Sequence, residues 1–194
     1  MKYRIDLKGV SSPEWLAAVM GDFDAFLQDH ADCERKASAM ALSFIAKYPD
    51  RKEIIPELIA TGIEELEHFE QVYKLMEERG VPLRKDIPRD EYVNALLKHC
   101  KSDPIGRFMD RLLLASIVEC RGAERFRMVC EAQEDPELRD FYRELWTSEA
   151  KHGNIFVEMA LTYFPEEKVY ARLDEWNEIE AEVLNNLPIR AALH

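Results

Sequence analysis

Two short motifs of the same kind stand out in the sequence. Glu65 and His68 form one Glu-x-x-His motif, and Glu149 and His152 form a second. Residues three apart lie on one face of an α-helix, so each motif can offer a carboxylate oxygen and an imidazole nitrogen to the same ion. This mixed donor set suits iron or manganese. Because the chain contains 25 glutamates, two such pairs are weak evidence on their own.

The spacing of two further glutamates strengthens the prediction of a metal site. Glu34 precedes Glu65 by 31 residues, and Glu119 precedes Glu149 by 30. Glu34 and Glu119 are 85 residues apart, and Glu65 and Glu149 are 84 apart, so the two pairs repeat along the chain. Across a short loop, a separation of about thirty residues places two positions level in antiparallel helices. Each half of the chain is therefore predicted to form a helical hairpin that bears one Glu and then one Glu-x-x-His.

Carboxylate-bridged di-iron bundles use this ligand set, with a Glu from each of two helices and a Glu-x-x-His from each of the other two. The predicted metal ligands are Glu34, Glu65, His68, Glu119, Glu149 and His152. Their carboxylates fall on otherwise apolar helix faces, where an ionised group is costly unless it is paired or binds a metal. The simpler alternative is a set of solvated charges and hydrogen-bonded histidines. Two local competitors, Glu64 and Glu124, fit the apolar face or the spacing less well.

Three neighbours of the candidate ligands have two interpretations each. His30 lies one turn before Glu34 on the same face, where it could orient that carboxylate or serve as an ordinary buried histidine. Cys33 and Cys120 flank Glu34 and Glu119, and the favoured interpretation is a small buried thiol rather than a thiolate ligand.

Four long amphipathic helices are predicted to carry the ligands, since apolar residues recur at alternating steps of three and four. Aspartate, proline and glycine mark their ends, which gives the ranges 22–48, 51–79, 103–133 and 135–164. Shorter helices are predicted over 12–21, 90–100 and 166–185. Pro56 lies near the start of the second long helix, where it can bend that helix. The predicted fold is all-α, a ferritin-like four-helix bundle of two antiparallel hairpins with a crossover connection and extra short helices, forming a single domain over 1–194.

Composition narrows the class of protein. The 194 residues are 47% hydrophobic and 33% charged, as in ordinary globular proteins. The formal net charge of −12 argues against a general nucleic-acid or membrane-surface binder. Residues 1–6 contain no apolar signal core, and no apolar run reaches the length of a membrane span, so we expect a cytoplasmic protein. The four cysteines form no Cys-x-x-Cys pair and are expected to be free thiols.

The sequence around the candidate ligands resembles a known family. Four segments carry the resemblance, His30-Ala-Asp-Cys-Glu-Arg-Lys-Ala37, Glu64-Glu-Leu-Glu-His-Phe69, Glu119-Cys-Arg-Gly-Ala-Glu-Arg-Phe126 and Ser148-Glu-Ala-Lys-His152. Together they resemble the bacterial tRNA-(2-methylthio-N6-isopentenyladenosine) hydroxylases, over a stretch from about Trp15 to Phe164. The metal motif alone indicates only the ferritin-like superfamily. The residues around two of the glutamates, Cys-Glu-Arg-Lys and Cys-Arg-Gly-Ala-Glu-Arg-Phe, narrow the resemblance to the hydroxylase family.

The resemblance implies a non-haem di-iron monooxygenase that hydroxylates the isopentenyl group of a modified adenosine beside the tRNA anticodon. It implies two iron ions held by the six residues above, with Glu65 and Glu149 as bridging candidates. Dioxygen is the implied co-substrate, and an external reductase or electron-transfer protein supplies electrons. The tRNA anticodon loop is the implied macromolecular substrate, and the apolar residues Phe69, Phe126 and Phe156 suit a prenyl-sized group or plain core packing.

An acidic enzyme that acts on tRNA needs a local basic surface. Residues 84–111 contain seven basic and five acidic residues, which gives this stretch a net charge of +2. Five further basic residues lie beside the candidate ligands, Arg35, Lys36, Arg121, Arg125 and Arg127. We expect these two groups to face phosphate at the mouth of the site. Ordinary solvated helix faces are the alternative.

Two other functions fit parts of the pattern. The first is a ferritin-like oxidase or rubrerythrin-like peroxidase that acts on a small molecule, although the chain has no rubredoxin-type tail with four cysteine ligands. The second is a metal-free helical interaction protein with solvated acidic faces. A measurement of iron content separates the metal-free interaction protein from the two enzymes. An assay on modified tRNA then separates the tRNA hydroxylase from the small-molecule oxidase or peroxidase.

Overall fold

The computed structural model describes residues 7–194, and all regular secondary structure within that range is helical. The seven helices are α1 (Pro13–Gly21), α2 (Phe23–Lys47), α3 (Ile55–Arg79), α4 (Glu91–Leu97), α5 (Pro104–Ala132), α6 (Pro136–Leu161) and α7 (Glu166–Asn185). The prediction of an all-α fold is confirmed. Among the described residues, no helix is long and apolar enough to cross a membrane. The expectation that rested on residues 1–6 lies outside the described range.

Aspartate caps fix where four of the helices begin. The side chains of Asp22, Asp90, Asp103 and Asp135 each accept a hydrogen bond from a backbone N–H in the first turn that follows. These bonds satisfy amides that have no partner within the helix. The cap positions follow directly from the sequence, which is why the predicted starts of α2, α5 and α6 lie within one residue of the observed ones.

The start of α3 differs from the prediction. The helix begins at Ile55 rather than at Arg51, and the residues before it form turns. Pro56 lies in the first turn, where its missing N–H removes no intrahelical hydrogen bond. Proline therefore starts this helix rather than bending it. At the other end, Gly80 adopts a φ of 68° and closes the helix with the left-handed cap that glycine tolerates best.

The described chain divides into two compact units. The α2–α3 unit comprises Ala17–Pro88 and Arg190–Leu193, and the α5–α7 unit comprises the residues up to Leu16, Arg89–Ile189 and His194. In the α2–α3 unit, α2 and α3 form an antiparallel hairpin. Ser38 Oγ donates a hydrogen bond to the carbonyl oxygen of Gly62 at 2.8 Å. A Cβ at Gly62 would lie 3.4 Å from Ala41 Cβ, in ordinary van der Waals contact with α2.

The α5–α7 unit contains the second long hairpin. Ser116 Oγ on α5 donates to the carbonyl oxygen of Gly153 on α6 at 2.7 Å. Both long hairpins therefore have a serine hydroxyl that bonds to a glycine carbonyl of the opposite helix, close to the candidate ligands. The α7 helix packs on α5, and Trp176 on α7 is fully buried.

A buried charged network joins α5 to α7. The guanidinium of Arg121 and the carboxylate of Glu180 are both fully buried and are joined by two hydrogen bonds of 2.8 and 2.9 Å. Tyr92 Oη also donates to Glu180, at 3.0 Å. Burial by itself lowers the pKa of Arg121, but the contact with Glu180 raises that pKa above its ordinary value. This pair holds α5 at the point where the chain carries Glu119, two residues earlier.

The close approach of α5 and α6 predicts a large effect for Gly153→Ala. A Cβ there would lie 2.5 Å from Cys120 Sγ and 3.4 Å from the carbonyl oxygen of Ser116. We expect a loss of about 1–3 kcal/mol in the free energy of unfolding, measured by urea denaturation. Gly21→Ala is the matched control, since nothing lies within 4 Å of a Cβ at that position. Equal stability of the two variants would contradict the close packing.

Candidate metal centre

The α2–α3 unit brings three of the predicted ligands together. Glu34 comes from α2, and Glu65 and His68 come from α3. Each of the three offers a ligand atom, and these atoms lie within 4.8 Å of one another. His68 Nδ1 is 3.5 Å from Glu65 Oε2 and 3.9 Å from Glu34 Oε2. All three side chains are buried, with at most 6% of the residue surface exposed.

The α5–α7 unit contains the corresponding group. Glu119 comes from α5, and Glu149 and His152 come from α6. Their ligand atoms also lie within 4.8 Å of one another, and His152 Nδ1 is 3.9 Å from Glu149 Oε2. All three are buried, and His152 is fully so. Each unit therefore supplies two carboxylates and one imidazole at close range.

The chemistry of these two groups fits a divalent metal. Two carboxylates held within 4.8 Å of each other repel when both are ionised, and burial strengthens that repulsion. A cation between them removes the repulsion, and an imidazole nitrogen beside them adds the donor that iron accepts. The two groups are compatible with a di-iron site. The assignment of the six residues as ligands stays a prediction.

The structure distinguishes the candidate glutamates from their local competitors. Glu65 is 1% exposed, whereas its neighbour Glu64 is only half-buried. Glu124 accepts hydrogen bonds from the backbone N–H and the hydroxyl of Ser11, and from Arg121. Its carboxylate is therefore already engaged in holding the residues before α1 against α5. Glu119, by contrast, lies in the group with Glu149.

His30 contacts a candidate ligand directly. Its Nε2 lies 2.7 Å from Glu34 Oε1, and both residues are almost completely buried. A ring N–H that donates to one carboxylate oxygen fixes the orientation of that carboxylate and leaves its second oxygen for a metal. Phe26 packs beside the imidazole, with ring centroids 5.9 Å apart. Of the two interpretations of His30, the geometry supports an orienting contact.

The cysteines beside the candidate ligands are free thiols, as the sequence predicts. Burial raises the pKa of Cys120 to about 12, so its thiol keeps its proton at neutral pH. The sulfur of Cys120 occupies the space beside Gly153, because a Cβ on Gly153 would lie only 2.5 Å from that sulfur. Cys120 is therefore a protonated thiol that packs the hairpin, although the residue is only half-buried, and Cys33 is buried as predicted.

The three phenylalanines near the candidate ligands differ in exposure. Phe126 and Phe156 are buried in the core of the α5–α7 unit, and the ring of Phe126 lies 5.7 Å from that of Tyr142. Phe69 on α3 is only half-buried, and the guanidinium of Arg35 lies 5.4 Å from its ring centroid. Core packing therefore accounts for Phe126 and Phe156, and Phe69 stays partly accessible.

The hypothesis of a phosphate-facing surface is wrong for two of its residues. Arg121 is fully buried and Arg125 is 6% exposed. Arg125 donates to Ser11 Oγ at 3.0 Å and stacks on Trp15, and its burial lowers its pKa to about 10. Arg121 joins α5 to α7 through Glu180, and Arg125 joins α5 to the N-terminal residues Ser11 and Trp15. Both arginines therefore serve the packing of the α5–α7 unit.

The other basic residues of the predicted phosphate-facing surface are of two kinds, those paired with aspartates and those exposed to solvent. Arg84 lies 3.3 Å from Asp29 and 3.6 Å from Asp32, and Arg35 also contacts Asp32. Six basic residues of the predicted surface are exposed, Lys85, Arg89, Lys98, Lys101, Arg107 and Arg127.

The helical fold, with a Glu and a Glu-x-x-His buried in each unit, defines the chain as a ferritin-like protein. A family model described as tRNA-(MS[2]IO[6]A)-hydroxylase (MiaE) matches residues 4–194. The chain belongs to this family, as the resemblance of its motifs implies.

Two curated relatives agree with this assignment, and a solved structure agrees with the fold. A tRNA 2-(methylsulfanyl)-N(6)-isopentenyladenosine(37) hydroxylase of Pseudomonas putida is 36% identical over 156 residues, which cover 80% of this chain and 75% of that protein. A hydroxylase of the same name from Salmonella typhimurium is 29% identical over 70% of this chain, which spans about half (49%) of the relative. A Synechococcus protein with aldehyde deformylating oxygenase activity has a similar structure, with a TM-score of 0.89 and 31% identity over 95% of this chain and 92% of that one.

Proposed function

We propose that this protein is a cytoplasmic tRNA-modifying monooxygenase that hydroxylates the isopentenyl side chain of 2-methylthio-N6-isopentenyladenosine next to the anticodon. The observation that carries the proposal is the match of the hydroxylase family model to residues 4–194. The Pseudomonas putida relative, which is named for this activity, also supports the proposal, since the match covers three quarters of that protein.

We further propose that the six buried glutamates and histidines hold two iron ions. The repeated spacing of the ligands along the chain and the matching donor sets of the two units support this assignment. When bound, the iron supplies the reduction of dioxygen, with two electrons from an external reductase or electron-transfer protein. One oxygen atom then enters a C–H bond of the substrate, and the other leaves as water with two protons.

The protein's own residues hold and shield this site. The carboxylates fix the positions of the cations, and His30 holds Glu34 in one orientation through the 2.7 Å contact. The burial of all six ligands removes them from bulk water, which strengthens their electrostatic interaction with a metal. It also keeps the reaction away from solvent, where reductant would be wasted.

The structural similarity to the Synechococcus oxygenase supports a second candidate, a di-iron oxidase or peroxidase that acts on a small molecule. That protein is named for activity on aldehydes, and the similarity covers nearly the whole of both chains. It is less similar in sequence than the Pseudomonas putida hydroxylase, at 31% against 36% identity. The tRNA substrate is therefore the better supported of the two.

A direct competition of substrates tests the proposal. The iron-loaded protein with a competent reductant is given tRNA that carries the isopentenyl modification, tRNA that lacks it, and a long-chain aldehyde. Nucleoside analysis is expected to show a hydroxylated product from the first substrate alone. Consumption of the aldehyde with no change in the modified nucleoside would overturn the tRNA proposal and favour the small-molecule oxygenase.

A further inference from the structure

A cleft opens at the end of the α5–α6 hairpin that contains the turn between the two helices. It has a volume of about 630 Å³ and lies entirely within the α5–α7 unit. Six residues line it, Arg127, Cys130, Glu131, Arg139, Arg143 and Trp146. Three arginines and a tryptophan around one cleft are unusual in a chain whose net charge is −12.

Two of the arginines are accessible and only partly engaged. The side chains of Arg127 and Arg143 are 58% and 55% exposed. Arg127 donates through Nε to Glu131 at 2.8 Å, and Arg143 donates through one terminal nitrogen to Asp140 at 2.5 Å. A guanidinium has five N–H donors, so each arginine keeps donors for a further acceptor.

The third arginine adds a positive charge that is fixed in place. Arg139 donates from Nε and from one terminal nitrogen to the carbonyl oxygen of Gln133, at 3.1 and 2.8 Å. These bonds hold its side chain against the turn between α5 and α6. Carbonyl oxygens orient a guanidinium without neutralising it, so Arg139 adds a positive charge to a cleft in which Arg127 pairs with Glu131 and Arg143 pairs with Asp140.

Trp146 gives the cleft a flat aromatic surface. The residue is half-buried and lies three positions before Glu149 on α6. Arginine beside a partly accessible indole is a combination that can bind single-stranded nucleic acid, because guanidinium groups contact phosphates while unpaired bases stack on aromatic rings. Duplex nucleic acid offers no unstacked base, so the pairing of these residue types favours a loop.

We propose that this arginine–tryptophan cleft binds nucleotides of the tRNA anticodon loop next to the nucleotide that is hydroxylated. Arg127 and Arg143 contact phosphate oxygens, and Trp146 stacks on a base. Along α5, Arg127 lies eight residues from Glu119, or about 12 Å, and along α6, Trp146 lies about 4.5 Å from Glu149. The cleft and the candidate ligands therefore share one hairpin. The inference rests on the proposed tRNA hydroxylase function.

Salt-dependent binding tests the role of the arginines. In the iron-loaded protein, the double variant Arg127→Gln/Arg143→Gln is expected to raise the Kd and the KM for isopentenylated tRNA about tenfold or more. The slope of log affinity against log salt is expected to fall by about two, one for each phosphate contact removed. The control is Lys47→Gln/Lys52→Gln, which removes the same charge from exposed residues of the α2–α3 unit and is expected to leave the slope nearly unchanged.

Stacking on Trp146 has a different signature. Trp146→Ala is expected to weaken tRNA binding by roughly fivefold to a hundredfold, without a change in the salt slope. Trp146→Phe is expected to recover most of that loss, because phenylalanine keeps a ring on which a base can stack. Urea midpoints of the variants separate a loss of folding from a loss of binding.

The outcomes separate this inference from the proposed function. If the unaltered protein hydroxylates tRNA and the arginine variant keeps its KM and salt slope, the cleft proposal is wrong while the tRNA hydroxylase stands. If the unaltered protein binds iron and leaves tRNA unchanged, the proposed function fails and the cleft proposal fails with it.

Discussion

Replacing Glu65 with alanine is expected to abolish iron binding and to lower the hydroxylation rate by roughly a thousandfold or more. Loss of groups that merely support a metal ligand typically costs 10- to 100-fold, and loss of a ligand itself should cost more. Glu65 is 1% exposed, and its carboxylate lies 3.5 Å from His68, so no other side chain of α3 can take its place without a change of helix register. Metal analysis of the purified protein and the tRNA assay measure the two effects.

Glu67 provides a matched control inside the same motif. It lies between Glu65 and His68 in the sequence but is exposed on the outer side of α3. Glu67→Ala is therefore expected to keep both iron content and activity, although it removes a carboxylate from the same turn. If the two variants bind equal amounts of iron, the proposed ligand set is wrong in the α2–α3 unit.

Replacing Glu180 with leucine is expected to destabilise the protein by about 3–5 kcal/mol, the typical cost of leaving a buried charge without its partner. Arg121 would keep a fully buried guanidinium that has lost both of its bonds to Glu180. The remaining contacts of Arg121, with Gly9, Ser11 and Glu124, do not replace that buried carboxylate. Urea denaturation measures the effect.

Two further variants separate charge burial from other effects of changing α7. Glu178→Leu removes an exposed carboxylate that pairs with Lys8, and we expect a change below about 1 kcal/mol. The double variant Arg121→Met/Glu180→Leu removes both buried charges and is expected to recover much of the stability lost in Glu180→Leu. A double variant no more stable than the single one would show that packing around Glu180, rather than the loss of the Glu180 carboxylate beside Arg121, causes the loss of stability.

The helices and the candidate ligands could be predicted because their signals are local. Capping aspartates and prolines mark the helix ends, and a Glu-x-x-His has a fixed geometry on any helix. The pairing of Glu34 with Glu65 followed from a spacing of 31 residues across one short connection, which leaves little freedom of register. The start of α3 at Ile55 was missed because proline is compatible with either the first turn or a bend.

The burial of Arg121 could not be predicted from its neighbours in the sequence. Its partner Glu180 is 59 residues away, on a helix whose packing the sequence does not specify. One signal was present, since the residues from Leu112 to Val118 are apolar except for Ser116 and mark α5 as a central helix. An arginine on such a helix must be paired when it is buried. The cleft residues Arg139 and Trp146 were missed for the same reason, because only the packing of α5 on α6 brings them together.

Transfer of an oxygen atom from labelled dioxygen to the tRNA nucleoside is the most direct test of the tRNA hydroxylase function. The iron-loaded protein is supplied with reductant, isopentenylated tRNA and dioxygen labelled with oxygen-18, and the digested nucleosides are analysed by mass. We expect a hydroxylated 2-methylthio-N6-isopentenyladenosine that carries the label and forms only when reductant is present. Unchanged nucleoside, from protein that contains iron and consumes labelled dioxygen, would contradict the tRNA hydroxylase function.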